Sequence, residues 1–79
     1  MIEKSLDMLT INKIGRVKKI LDCSIKRRFL DLGFTYGTEV KNIMSNFSKN
    51  MNAYYIRGTL IAIRNEDARN IIVEVSLDE

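Results

Sequence analysis

The segment KRRFLDLGFTYG (26–37) constrains the fold most, because its pattern is typical of a short amphipathic helix followed by a stop signal. Ile25, Phe29 and Leu32 recur at i, i+4 and i+7, so one face of the helix is apolar. The predicted helix (24–32) covers about nine residues, and isolated helices shorter than roughly 12–15 residues are marginal in water. The helix must therefore be docked on the rest of the chain.

Both ends of this helix are marked in the sequence. Gly33 follows the last periodic residue, where a helix commonly ends in the left-handed conformation that glycine adopts without steric cost. Phe34 occupies the position whose side chain tends to fold back onto the last turns, here onto Phe29. At the other end, we expect Asp22 or Ser24 to cap the helix by accepting a hydrogen bond from a free backbone N–H group.

Five other segments have the β-branched and aromatic character of strands. In chain order they are 14–21 (IGRVKKIL), 38–45 (TEVKNIMS), 52–57 (NAYYIR), 59–64 (TLIAIR) and 71–75 (IIVEV). The segment 65–70 (NEDARN) fits one helical turn before the last strand. These elements predict a mainly β protein.

Two of the predicted strands break the alternation of a flat strand in the same way. Val17 and Ile20, and then Val40 and Ile43, are apolar pairs three residues apart, which a flat strand cannot place on one face. A bulge or a sharp bend returns both members of a pair to the core, and bent strands let a small sheet close on itself. Such corners favour glycine, and the chain offers Gly15, Gly37 and Gly58.

Length and composition favour one soluble domain. Hydrophobic residues make up 46% of the chain, a globular proportion, and no apolar run approaches the roughly 20 residues that span a bilayer. The N-terminal MIEKSLDMLT lacks the features of a signal peptide, which predicts a cytoplasmic protein. We predict one domain over residues 1–79: a small SH3-like barrel of about five bent antiparallel strands, with one short helix (24–32) and a helical turn (65–70).

The chemistry of the side chains argues against an enzyme. The chain has no histidine, which removes the commonest general base and a common metal ligand. Its one cysteine, Cys23, cannot form an internal disulfide or build a zinc or iron–sulfur site alone. The neighbouring carboxylates Glu66 and Asp67 fit the start of a helical turn, and no glycine-rich phosphate loop is present. We therefore predict no catalytic, cofactor-binding or metal-binding residues.

The candidate binding residues lie on the longest polar connection and on the helix. The connection 45–52 (SNFSKNMN) contains Phe47 and Met51, which either cover the open end of the barrel or contact a partner. The net charge is +3, and its densest cluster is 26–28 on the helix. That cluster is either solvated surface or a site for an acidic partner. For a partner-binding surface, the candidates are Phe47, Met51 and Arg27.

Two blocks of the sequence resemble the FeoA family, small cytoplasmic proteins of bacterial ferrous iron transport. The blocks are RRFLDLGFTYGTEV (27–40) and YIRGTLIAIRNEDARNIIVEV (55–75), and GRVKKI (15–20) resembles the family's opening strand. The family motif is RR-x-L-x-x-LG-x-x-x-G-x-x-V, then IRG-x-x-x-A-[LI]-R and a final apolar strand. The matching positions are Arg27, Arg28, Leu30, Leu32, Gly33, Gly37 and Val40, then Ile56, Arg57, Gly58, Ala62, Ile63, Arg64, Ala68, Ile71 and Val73.

The resemblance covers about residues 5–75, and it implies an SH3-like barrel that acts with FeoB, the membrane iron transporter with a cytoplasmic GTPase domain. Partner binding, complex assembly and GTPase modulation are all roles proposed for the family. It has no established catalytic residues, so none are carried over. Transition-metal binding belongs to the family's label, but the ligand shortage here argues against direct binding. The structural residues that the motif shares with this chain are Gly33, Gly37 and Gly58.

Several alternatives to an accessory protein of iron transport stay open on the sequence. One is a small basic nucleic-acid-binding barrel, given the pI of 9.2 and the Tyr54–Tyr55 pair. Alternation turns only one of those tyrosines outward, whereas single-strand binders usually offer several stacking aromatics, so we expect no nucleic-acid partner. Another is a stand-alone relative of the C-terminal SH3-like module of metal-dependent repressors. An exposed β edge also allows a homo-oligomer.

Overall fold

A computed structural model of the chain describes residues 2–48 and 50–76, with side chains at all of these positions except 46–48. The described residues form six strands: β1 (Ile2–Ser5), β2 (Ile14–Ile20), β3 (Glu39–Ser48), β4 (Met51–Ile56), β5 (Thr59–Arg64) and β6 (Ile71–Val75). The strands pair in one antiparallel sheet in the order β1-β6-β2-β3-β4-β5. A 3₁₀ turn (Leu6–Met8) and the helices α1 (Lys26–Leu32) and α2 (Asn65–Ala68) connect them. The predicted mainly β class is confirmed.

The first strand was not predicted, which makes the sheet six-stranded rather than five-stranded. β1 pairs with β6 along its whole length, from Ile2 opposite Val75 to Ser5 opposite Ile72. The sequence gives little sign of β1 because Glu3 and Lys4 fill its middle. It forms nonetheless, since β6 offers it a continuous set of backbone partners.

The bend predicted in the first of the two irregular strands is present. The register between β2 and β6 shifts between Val17 and Lys19, and both Val17 and Ile20 are buried. In β3 the register with β4 shifts between Asn42 and Met44. Here the buried residues are Val40 and Asn42, whereas Ile43 is only half-buried. The expectation that Ile43 returns to the core was wrong, because the irregularity follows Asn42 and leaves the ordinary alternation before it intact.

Helix α1 ends where its stop signal predicts. Gly33 has φ of 107°, and the N–H of Phe34 donates to the carbonyl oxygen of Phe29 at 3.0 Å. The two phenyl rings meet edge to face, with centroids 5.5 Å apart and planes at 64°. Both phenylalanines are buried, so the stop also fixes the helix to the core.

The start of the helix and one of its apolar positions differ from prediction. The helix begins at Lys26 with Ile25 at the N-cap, and no side chain caps it. Asp22 instead accepts a weak hydrogen bond from the ammonium of Lys26 at 3.4 Å. Leu32 is 40% exposed rather than buried, because the helix touches the core mainly through Phe29. The predicted caps Asp22 and Ser24 and the predicted core residue Leu32 were therefore wrong.

A buried polar network ties the N-terminal segment to the sheet. The amide of Asn42 donates to the carbonyl oxygen of Leu9 at 2.7 Å. The phenol of Tyr54 donates to the carbonyl oxygen of Leu6 at 3.3 Å and accepts from the amide of Asn52 at 3.2 Å. These three polar side chains are almost entirely buried, so the hydrogen bonds offset part of their desolvation, while the side-chain oxygen of Asn42 has no partner among the described residues. The network holds the segment after β1 against β3 and β4.

Candidate functional site

A groove lies between helix α1 and strand β5. Apolar side chains from both elements form most of its lining, with charged groups at the rim, as the lining residues show: Ile25, Arg28, Phe29, Leu32, Met51, Ile61, Ala62, Ile63, Arg64 and Asp67. An apolar floor with a charged rim is the composition of a protein-binding surface. The groove is therefore the candidate functional site.

The groove follows the edge of β5 rather than one of its faces. Ile61, Ala62 and Ile63 are consecutive, so their side chains alternate between the two faces of the sheet, and yet all three line the groove. Ile63 is buried and Ala62 is exposed, in agreement with this alternation. β5 is the last strand in the order, and within the described residues no strand pairs with its outer side.

The charged residues that line the groove are two arginines, Arg28 and Arg64, and one carboxylate, Asp67. Arg28 makes no ion pair with any residue that the structure describes. Arg64 approaches Glu66 at 3.9 Å, but both side chains are about two-thirds exposed (67% and 69%), so this pair contributes little. The guanidinium groups of Arg28 and Arg64 are thus available to an acidic group on a partner.

A second, more polar depression continues the groove past Met51 and Arg64, which line both. Its remaining lining residues are Asn50, Asn65, Glu66 and Arg69. Arg69 lies 3.8 Å from Asp7, so its charge is partly offset. The two depressions together form a surface that runs from α1 across the end of β5 to α2.

The predicted partner-binding residues are only partly brought together. Met51 lies at the start of β4 and lines the groove. Arg27 is exposed on α1 but does not line the groove, and its neighbour Arg28 does. The backbone of Phe47 belongs to β3, and its side chain lies outside the part of the chain that the structure describes. The sequence alone could not choose between Arg27 and Arg28, because the orientation of α1 decides which faces β5.

The polar connection 45–52 is a hairpin end rather than a loop. β3 continues to Ser48, β4 starts at Met51, and these two residues are paired. The prediction of a loop was wrong because strand pairing uses backbone hydrogen bonds, which leave no trace in the side-chain pattern of a polar segment.

A row of side chains crosses the face of the sheet that is turned away from the core. Ile14, Lys41, Tyr55 and Leu60 are successive partners across β2, β3, β4 and β5, and all are exposed except Lys41, which is half-buried. Tyr55 is 48% exposed whereas Tyr54 is fully buried, so only one of the two tyrosines can stack on a base. The burial of Tyr54 also raises the pKa of its phenol above 10.0.

The described residues offer few groups for metal binding and no membrane-spanning helix. In this part of the chain, no three His, Cys, Asp or Glu side chains come together in a way that could hold a metal ion. Cys23 is a half-buried free thiol. None of the described helices is long and apolar enough to cross a bilayer.

Comparison with known proteins identifies the family. The FeoA domain family matches residues 4–75. No curated protein matches the sequence significantly. Among solved structures, a FeoA-like protein from Clostridium acetobutylicum superposes with a TM-score of 0.86 at 26% identity, over 100% of this chain and 93% of that one.

Two other solved structures share the fold at lower identity. Stenotrophomonas maltophilia FeoA, a prokaryotic SH3-domain protein complexed with zinc, has a TM-score of 0.80 at 24% identity, over 89% of this chain and 88% of that one. T. acidophilum IdeR has a TM-score of 0.79 at 19% identity, over 96% of this chain but only 35% of that one. The predicted SH3-like fold is confirmed, and the chain belongs to the FeoA family.

Proposed function

We propose that this chain is a non-enzymatic accessory protein of bacterial ferrous iron uptake that binds the cytoplasmic, GTPase-bearing part of the FeoB transporter. Membership of the FeoA family supports the role in iron transport. The groove between α1 and β5 is the observation that carries the binding role. The protein acts in the cytoplasm and reaches the membrane only through its partner.

The chemistry of the groove suits protein binding. Met51, Leu32 and Ile61 offer apolar contact, and Arg28 adds a charge at the rim. Methionine, aromatic residues and arginine are enriched in interface cores, where a few residues carry most of the binding energy. The predicted anchors Phe47 and Arg27 remain candidates beside these residues.

Binding to the purified cytoplasmic domain of FeoB from the same organism tests the proposal. We expect Met51→Ala and Arg28→Glu to weaken binding about tenfold or more, since interface hot spots cost about 2 kcal/mol or more and about 1.4 kcal/mol is already tenfold. Phe47→Ala and Arg27→Glu test the two other predicted anchors, and Arg27→Glu should have a smaller effect because Arg27 does not line the groove. Lys13→Glu, which makes the same charge change at an exposed residue outside the groove lining, is the matched control.

The possible outcomes test the identity of the partner and the position of the binding surface separately. Calorimetry should show a saturable complex for the parent chain and for Lys13→Glu. Absence of any complex with the parent chain would refute the partnership. Equal affinity of all four variants, each folded by circular dichroism, would move the interface to another face, such as the row that contains Tyr55.

A further inference from the structure

We propose that the partner is bound as an additional β-strand: an extended, acidic segment with apolar side chains that pairs with the open edge of β5 and lies between β5 and α1. This inference rests on the proposed function, since it assigns the segment to the cytoplasmic part of the transporter. Four observations carry it: the direction of the free backbone groups, the lack of edge protection, the wall formed by α1 and the charge of the rim.

The direction of the backbone groups follows from the register of β4 and β5. The pairing runs without a shift from Ile56 opposite Thr59 to Met51 opposite Arg64. In an antiparallel pair, only alternate residues of a strand bond to a given neighbour. The N–H of Asn65 donates to the carbonyl oxygen of Asn50 at 2.7 Å, which places the odd-numbered residues on the β4 side.

The even-numbered residues of β5 therefore turn their N–H groups away from the sheet. These residues are Leu60, Ala62 and Arg64. Among the backbone hydrogen bonds outside the strand ladders of the described residues, none is donated by these three N–H groups. They form a row of donors along the groove, which is what an added strand requires.

The edge of β5 lacks the usual devices that prevent strand addition. Proteins commonly block sheet edges with inward or central charges, prolines or bulges. The opposite edge of this sheet, β1, carries Glu3 and Lys4 in its middle. β5 is TLIAIR, with its one charge at the end, no proline and no shift of register. The edge at β1 is thus protected against strand addition and the edge at β5 is not, as expected if β5 pairs with a partner.

Helix α1 selects a single segment over a second barrel. Arg28, Phe29 and Leu32 line the groove from the side opposite β5. A segment that pairs with β5 has to lie in the space between these two elements. A second copy of this chain would have to bring its own β5 and its own α1 into the same space. The geometry therefore favours an isolated extended segment.

The charge of the rim specifies the segment further. Arg28 has no acidic partner among the described residues, and Arg64 has only the weak, exposed contact with Glu66. A carboxylate on the bound segment would form charge-assisted hydrogen bonds with either guanidinium group. Alternate side chains of the segment would meet the apolar floor near Ile61 and Met51. The partner segment therefore combines acidic side chains with apolar side chains at alternate positions.

Hydrogen exchange measured by NMR on the full chain tests this inference, with the cytoplasmic domain of FeoB as the probe. On binding, we expect exchange of the amides of residues 60, 62 and 64 to slow by on the order of tenfold or more. The amides of residues 59, 61 and 63 already bond to β4 and should change far less. An alternating pattern distinguishes strand addition from contact through side chains, which has no reason to follow alternate amides.

A backbone substitution provides the second arm. Ala62→Pro removes one outward donor while leaving the bonds to β4 in place, since proline is tolerated at the solvent side of an edge strand. We expect binding to weaken about tenfold, the effect of losing one buried hydrogen bond. Ala62→Ser keeps the N–H and a similar volume and should bind like the parent chain. If Ala62→Pro does not fold, the exchange pattern of the parent chain decides.

Each outcome bears on one of the two proposals. Absence of a complex with the parent chain would refute the proposed function and this inference with it. A complex whose protected amides lie outside β5, or one unaffected by a folded Ala62→Pro, would overturn the inference and leave the partnership intact. Protection of residues 60, 62 and 64 by a rise in the concentration of this chain alone would make a second copy the occupant and overturn the inference as well.

Discussion

The side chain of Arg57 lies against the Cα of Gly33, so that a Cβ at Gly33 would overlap the Cδ of Arg57. Gly33 ends α1, and Arg57 begins the two-residue turn between β4 and β5. Arg57 and Gly58 both have positive φ, 51° and 82°, as a tight hairpin turn of this type requires. The contact joins the helix stop to the hairpin, the two sequence blocks in which the family resemblance is found.

Replacement of Gly33 is expected to be among the most destabilising single changes. Gly33→Ala combines a strained backbone with the displacement of Arg57, and Gly33→Val adds β-branching to both. We expect a loss of about 1–3 kcal/mol, the range for one strained residue, to which the displacement of the exposed Arg57 side chain adds a small part. Urea denaturation followed by circular dichroism measures the loss.

Gly37 provides the matched control for this prediction. It also has positive φ, 84°, but a Cβ there would meet nothing within 4 Å. Gly37→Ala should therefore show the backbone cost alone. Adding Arg57→Ala should recover part of the loss in Gly33→Ala and none in Gly37→Ala. Equal losses in the two alanine variants would show that the contact with Arg57 has no energetic weight.

Ionisation of the Tyr54 phenol makes the folded protein less stable at alkaline pH. Burial raises its pKa in the folded protein above the ordinary 10.0, so the unfolded chain loses its proton first. The contribution of the phenol to stability is therefore fully present below pH 10 and is lost as the pH rises through the folded pKa. At pH 8, Tyr54→Phe should cost about 1–2 kcal/mol, because its hydrogen bonds to Leu6 and Asn52 are lost.

The difference between parent and Tyr54→Phe should narrow as the pH is raised from 9 toward 11. Denaturation at each pH measures it, and the other tyrosines, common to both proteins, cancel in the comparison. Tyr55→Phe, at an exposed position, is the control and should differ from the parent little at any pH. A constant difference for Tyr54→Phe would contradict the assigned cause.

Asn42 is a buried hydrogen-bond donor, and an ionised aspartate, although nearly the same shape, cannot replace it. The ionised carboxylate of Asn42→Asp would face the carbonyl oxygen of Leu9 with no proton to donate, whereas Asn42→Leu only loses the bond. We expect Asn42→Asp to be the less stable of the two by about 1–3 kcal/mol at pH 7, the range for an unsatisfied buried polar group. Denaturation at pH 7 and pH 4 measures the difference.

Lower pH should favour Asn42→Asp, because its protonated carboxyl can donate to Leu9 again. The gap to Asn42→Leu should therefore shrink toward pH 4. A gap that stays the same at both values would mean that charge at this position does not cause the loss.

The chain alone is expected not to bind ferrous iron at micromolar affinity. It has no histidine and one cysteine, and the described residues show no cluster of possible ligands. Anaerobic calorimetry with a ferrous salt should show no saturable heat, and titration of EDTA with the same solution verifies that the metal is competent to bind. A stoichiometric site would refute the prediction, and Cys23→Ser would then test whether the thiol belongs to it.

The parts of the fold that follow from local steric rules were predictable from the sequence. Gly33 ends α1 because a left-handed residue is needed there, and the pair Val17 and Ile20 indicates a bulge by its spacing. β1 depends on backbone pairing with β6 at the other end of the chain, and the hairpin end at Ser48 depends on backbone pairing with Met51, so their side chains carry little signal. The alternation of apolar residues along a sequence does not reveal such pairing.

The candidate site was less predictable than the fold. Met51 stood out as an apolar residue in a polar segment, but Ala62 has no local property that marks it as the centre of an open strand edge. The groove exists because α1 comes to lie beside β5, which is about 30 residues further along the chain. Which of the arginines on α1 faces the groove depends on that docking.

The contact between Gly33 and Arg57 makes the two ends of the groove different. It joins Gly33, which directly follows the helix, to the turn that precedes β5, so α1 and β5 converge at this end, and the lining of the groove stops short of both residues. At the far end, beside Met51 and Arg64, the groove runs on into the depression next to α2. We therefore expect the small side chains of a bound segment to lie near this junction and the bulky ones near Met51.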